Sequence, residues 1–268
     1  MCKKVAKERI NYFYKELLST LERTELWLFL AWIDIVLRYR RTKLGPFWLV
    51  IVSFISIGCI ATLGSLLFRT KLGTFFPYVA CGMVVWTYMS TIIMESCSVF
   101  LSQAGIIRHV NVPLISFGFR MFVRNTIIFF HSLVIVALVL LYFQINVGWA
   151  IFMLIPGLAL FAVTSVSLAI IIGFTCTRFR DVMQLINSII GILVFLTPIM
   201  WQPEMLGDKA YLTNFNPLTH YVALLREPLL GRVPETISLV FTSAFSVLLF
   251  VFSGYIFNKY RKQLVHWL

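Results

Sequence analysis

Charge is what this sequence has least of. Asp, Glu, Lys and Arg make up 13% of its 268 residues, where a soluble domain carries about 25%. Hydrophobic residues reach 60% and the mean hydropathy is +0.89, which excludes an ordinary soluble fold and predicts a polytopic membrane protein. The four histidines (His109, His131, His220, His266) are scattered, with no H-E-x-x-H spacing and no clustered acids beside them. No enzyme site emerges, and a membrane-embedded glycosyl- or acyltransferase is disfavoured. The five cysteines form no C-x-x-C pair, and most lie in or near apolar runs, so no metal site or disulfide framework is expected. No G-x-x-x-x-G-K-[ST] occurs, so this chain does not bind ATP in the P-loop manner. Bases outnumber acids 23 to 11, but they sit between hydrophobic runs and form no basic domain, which points away from nucleic acid.

The apolar runs predict an all-α integral membrane protein with six transmembrane helices. They are Leu49–Phe68, Phe75–Leu101, Phe119–Phe143, Trp149–Cys176, Val182–Trp201 and Thr236–Asn258. Each approaches or exceeds the roughly 20 residues needed to cross about 30 Å of hydrocarbon. Residues 1–46 read as a cytoplasmic leader and an interfacial helix, and residues 47–268 as the transmembrane domain. Ser19-Thr20-Leu21-Glu22 fits a capping box, so a helix is expected to start there. Leu26, Phe29, Ile33 and Leu37 then recur at helical spacing, with Asp34 and Arg38 forming an i,i+4 pair. That run is too short to span and reads as an amphipathic helix on the membrane surface. Between the last two spans, Tyr211–Phe215 and His220–Leu230 are apolar enough to dip back as a re-entrant outer segment. Eighteen of the 23 Lys and Arg fall in the leader, residues 102–124, residues 177–181 and the tail, which predicts both termini in the cytoplasm.

Three features carry polar chemistry. Arg38, Arg40, Arg41 and Lys43 place four cations just ahead of Gly45-Pro46 and the first span, the pattern of a topology anchor. Glu95 is an acid well inside a span, level with Arg120 and Arg124. A Glu95–Arg124 pair and a proton relay are the two readings. Trp86, Tyr88 and Trp201 could face a conduit or belong to interfacial belts.

The stretch Arg38-Tyr39-Arg40-Arg41-Thr42-Lys43-Leu44-Gly45-Pro46-Phe47-Trp48 resembles the start of the first span in permease subunits of bacterial ABC type-2 exporters. That family moves O-antigen, capsular polysaccharide and teichoic acid. The segment from Gln103 to Leu114 resembles its first cytoplasmic loop, and Arg178-Phe179-Arg180-Asp181 its second. Leu196-Thr197-Pro198-Ile199 and Phe215-Asn216-Pro217-Leu218-Thr219-His220, followed by Arg226-Glu227, resemble its fifth span and outer segment; Pro228 departs from the pattern.

The resemblance implies a multi-pass permease of the bacterial inner membrane, acting as a homodimer with two copies of a separate ABC ATPase that bind ATP and Mg. The implied cargo is a lipid-linked polysaccharide. The ATPase would dock on the segment containing Gly105, Ile106, Ile107, Arg108, Asn111 and Pro113. Arg38, Arg40, Arg41 and Lys43 would receive the cargo's pyrophosphate at the headgroup layer, and Trp86, Tyr88 and Trp201 would line the glycan channel. An exporter of small drugs or lipids would share the fold and differ in having a closed pocket.

Overall fold

The computed structural model describes residues 2–40 and 47–268, with side chains from 12–40 and 50–268. Among the described residues every regular element is helical. Two helices precede the spans: α1 (Cys2–Glu22) and α2 (Thr24–Tyr39), broken at Arg23 with φ −101° and ψ 44°. The expected capping box at Ser19–Glu22 therefore does not open a helix. Thr20 instead lies in the last turns of α1, where its hydroxyl donates back to the Glu16 carbonyl at 2.8 Å. Its own carbonyl accepts the Trp27 indole N–H at 2.9 Å and fixes the corner between the two helices.

Among the described residues, five helices are long and apolar enough to cross a membrane. They are α3 (Phe47–Leu67), α4 (Leu72–Ser96), α6 (Ile115–Tyr142), α7 (Leu154–Arg178) and α10 (Thr236–Trp267). A short helix, α5 (Ala104–His109), lies between α4 and α6. The fourth predicted span begins as a 3₁₀ turn, Gly148–Met153, and becomes α7 at Leu154, where Pro156 falls in the first turn and its missing N–H breaks no bond. The fifth predicted span is shorter than expected: α8 (Asp181–Leu196) has 16 residues, about 24 Å of helix. Pro198 disfavours helical backbone at Thr197, which is extended at φ −94° and ψ 136°. The chain continues through 3₁₀ turns (Pro203–Phe215) into α9 (Pro217–Leu229). The Asn216 side chain caps α9 by accepting the Leu218 N–H, and the helix runs through Pro228 before turning at Gly231, φ 75°.

α4 is the central helix and the most buried of the spans. α3 reaches it through Ile57 and Ala61, while Gly64 lies so close to Phe75 that a Cβ would sit 2.7 Å from the ring. Small residues that let helices approach closely supply packing where lipid tails remove the usual hydrophobic drive. α7, α9 and α10 are joined by a buried hydroxyl network: Thr164, Tyr221 and Ser246 lie 2.7–2.9 Å from one another. Outside water, such groups must satisfy each other.

Candidate functional site

α2 buries Trp27, Ala31 and Ile35, one residue every four, and Trp27 packs on Phe119 of α6 with ring centroids 5.3 Å apart. Phe29 and Leu37 of the predicted apolar stripe point away from that contact, along with Trp32 and Val36. The helix is therefore apolar on two sides, one packed on the bundle and one exposed.

Asp34 sits between those faces, and its partners correct the expected Asp34–Arg38 pair. Arg120 grips Asp34 with Nε at 2.8 Å and Nη2 at 2.5 Å, and Arg124 adds Nη1 at 2.8 Å. Arg124 also bonds Glu95 through Nη2 at 2.5 Å, while Asn125 donates its amide N–H to the same carboxylate oxygen. Arg38 reaches across to Glu95 at 3.3 Å, and Arg120 Nη1 donates to Gln103 at 3.0 Å. The two acids thus tie α2 to α4 and α6. Arg120 and Arg124 lie one turn apart on α6, so their forks meet Asp34 side by side, a geometry closed to lysine. Burial pushes the Asp34 carboxyl up, but the bonds and charges of Arg120 and Arg124 outweigh it and hold the group below its ordinary value. These groups surround a cavity of about 240 Å³.

The rest of the predicted site is spread out. Arg38 and Arg40 are exposed at the end of α2, and Arg41 and Lys43 lie outside the described residues. Trp86 and Tyr88 are both buried within this subunit, Tyr88 at the wall of a cavity between α3, α4 and α6. Trp86 is 7% exposed. Tyr88 stacks on Phe129 at 4.6 Å, meets Phe161 edge-on and bonds Thr126 at 2.7 Å. Trp201 is half-buried and donates to the Phe195 carbonyl at 2.9 Å.

Residues 104–112 form an open surface. Gly105, Arg108 and Asn111 are exposed, Ile106 and Ile107 half-buried, and Pro113 buried. A feature not legible in the sequence holds the far end of this segment: Glu16 of α1 accepts the Leu114 N–H at 2.5 Å, and Arg261 of α10 lies 2.9 Å from its other oxygen. Burial raises the Glu16 pKa, with the Leu114 bond and the Arg261 charge acting against it.

Five of the described helices are long and apolar enough to cross a membrane, and a partly exposed ion network joins two of them to α2. The comparisons define the protein further: residues 25–230 match the ABC-2 type transporter family, and the chain belongs to that family. It is thus a transmembrane permease component of an ABC transporter, whose ABC ATPase is its partner. It is 22% identical over 260 residues to the O-antigen export system permease protein RfbA of Myxococcus xanthus, covering 94% of this chain and 95% of that protein. A protein of the same description from Klebsiella pneumoniae is 21% identical, covering 85% of this chain and 89% of its own length.

Proposed function

We propose that this chain is the permease subunit of an exporter that carries lipid-linked polysaccharide, of O-antigen or capsule type, across the bacterial inner membrane. ATP with Mg is hydrolysed by two copies of a separate ATPase subunit, and two copies of this chain form the conduit. The observation that carries the reading is the end-to-end similarity to O-antigen export permeases. Six crossings follow if α8 completes its short span with the turn at Thr197 and Pro198, and α9 then folds back as the re-entrant piece. Both termini are cytoplasmic in this arrangement, in keeping with the basic excess there. α8 has Ile190 as its one buried residue, so its apolar flank is available to the second copy.

Arg38, Arg40, Arg41 and Lys43 receive the pyrophosphate of the cargo, and the exposed segment from Gly105 to Pro113 docks on the ATPase. The glycan slides past weakly binding groups, Trp201 among them, since a polymer held tightly would not advance. The test is transport itself. The chain and its ATPase, reconstituted in vesicles loaded with lipid-linked O-polysaccharide on the ATPase side, should deliver glycan to the other side only with ATP. Transport of small amphiphilic drugs with no movement of glycan would establish the alternative cargo class instead.

A further inference from the structure

A cavity of about 740 Å³ lies at the other end of the bundle from the ion network. Tyr78 on its wall and Glu95 in the network are about 25 Å apart along α4, at 1.5 Å of rise per residue. The 3₁₀ turns after α8, the helix α9 and the start of α10 close its other sides. Small-molecule sites run from about 300 to 1,000 Å³, so the space is of that kind. Part of its lining is already committed. Arg226 stacks on Tyr78, 4.0 Å from the ring centroid, donates to the Pro198 carbonyl at 2.7 Å and binds Glu227 through Nε at 3.0 Å and Nη2 at 2.9 Å. His220 spends both ring nitrogens, one on Ser238 at 3.1 Å and one on the Asn214 carbonyl at 3.0 Å. These bonds make a fixed floor.

Other groups lining the cavity are uncommitted. The side chains of Gln202, Glu204, Asn214, Arg232 and Glu235 make no hydrogen bond or ion pair among the described residues. Tyr211 adds an exposed ring, and the buried Thr219 hydroxyl is unpaired. Arg226 and Glu227 cancel each other, so Glu204 and Glu235 against Arg232 leave one negative charge in excess. Among the described residues no three acids or histidines converge as metal ligands, so these carboxylates are separate acceptors. Separate carboxylates, side-chain amides and an open aromatic face suit a pyranose. Each sugar hydroxyl donates one hydrogen bond and accepts two, and the C–H face of the ring is apolar. The same carboxylates repel a ring that carries an acid of its own.

We propose that this cavity is a subsite for one neutral sugar of the glycan, and that its free Glu204 and Glu235 turn uronic acids away. The inference rests on the reading that the cargo is a polysaccharide, on which this end of the bundle faces outward. It adds to that reading a selection by cargo charge. Glu204, Tyr211, Asn214, Arg232 and Glu235 are exposed, which keeps the contact weak, as a polymer that must advance requires.

The test is saturation-transfer NMR on the full chain, in a detergent without a sugar headgroup. The separate probes are the methyl glycosides of glucose, galactose and mannose and of their three uronic acids. At least one neutral sugar should bind, and its uronic acid should bind at least about tenfold more weakly. Glu204→Gln combined with Glu235→Gln removes two exposed charges that have no bonds to lose, so the fold should hold and the gap should shrink about tenfold. Tyr211→Ala should weaken the neutral sugar about fivefold. Binding of no neutral sugar, or equal binding of a neutral sugar and its uronic acid, would overturn the site. So would a preference unchanged by the double variant, or an affinity unaltered by Tyr211→Ala. A chain that exports glycan with ATP but binds none of these sugars refutes the site and leaves the proposed function standing; one that binds them with the stated preference and exports no glycan does the reverse.

Discussion

Asp34→Asn is the sharpest test of the ion network, because it keeps the side chain's shape and removes one charge. Asp34 accepts three short bonds from Arg120 and Arg124, and the side chains of all three residues are 12–18% exposed. Removing one partner of a buried pair costs about 3–5 kcal/mol, since the remaining charge is stranded in low dielectric. Slight exposure puts this case at the lower end, about 3 kcal/mol, which is about a hundredfold in an opening equilibrium at 1.4 kcal/mol per decade. Ala31, at 0% exposure on the buried face of α2, reports that opening. Ala31→Cys, in a background without the native cysteines, should react slowly with a water-soluble maleimide, and adding Asp34→Asn should raise the rate about a hundredfold. Arg38→Gln is the internal control. Its pair with Glu95 is 42% exposed on the arginine, and exposed pairs are worth about 0–1 kcal/mol, so the rate should rise no more than about fivefold. Equal rates in the parent and Asp34→Asn would show that α2 is held by Trp27 and Ile35 packing, with the ion network incidental.

Gly105 is exposed and nothing lies within 4 Å of a Cβ built there, so Gly105→Trp should leave the subunit folded. In cells the variant should insert normally and stop polysaccharide reaching the surface; normal export would put the ATPase contact elsewhere. Glu16 has a folded pKa raised above 4.5, so the stability linked to it is complete below pH 4.5 and declines as pH rises through the folded value. Glu16→Gln retains an acceptor for the Leu114 N–H and cannot ionise. The difference in thermal midpoint between parent and variant should therefore shift toward the variant as pH rises from about 4.5 to 7, and a pH-independent difference would refute the assignment.

Five of the six predicted spans, the α2 helix and the Glu95–Arg124 contact were legible because each follows from composition over one or two segments. A rare acid in an apolar run must meet a base, and Arg124 stood at the right depth. The choice of partner for Asp34 was not legible. Arg38 is nearest along the chain, but the contact of α2 with α6 delivers two arginine forks to Asp34 from 86 and 90 residues away. The packing of Tyr88 against Phe129 and Phe161 was not legible either: hydropathy shows that α4 is a span, but not which of its faces are covered. Glu16 gave no signal at all, since one partner is a backbone N–H that any residue but proline would offer at position 114, and the other, Arg261, lies at the far end of the chain.

The two tethers become more informative when taken together. The segment between α4 and α6 is held near its start by Gln103, which accepts from Arg120, and so shares a partner with Asp34 of α2. It is held at its end by Leu114, bonded to Glu16 of α1. Both polar attachments thus lead to the N-terminal helices, and α5 lies between them as the exposed part. A force applied to α5 is carried through Arg120 to α2 and through Glu16 to α1. Driving a two-state element from 1:99 to 99:1 takes about 5.5 kcal/mol of differential binding. That exceeds the roughly 3 kcal/mol assigned to the Asp34 contact. If the ATPase docks on α5, as proposed, differential binding on that scale suffices to break the clamp, whereas a weaker push carries α2 along with α5. The ion network sets the threshold between those two responses, and the Asp34→Asn variant should lower it.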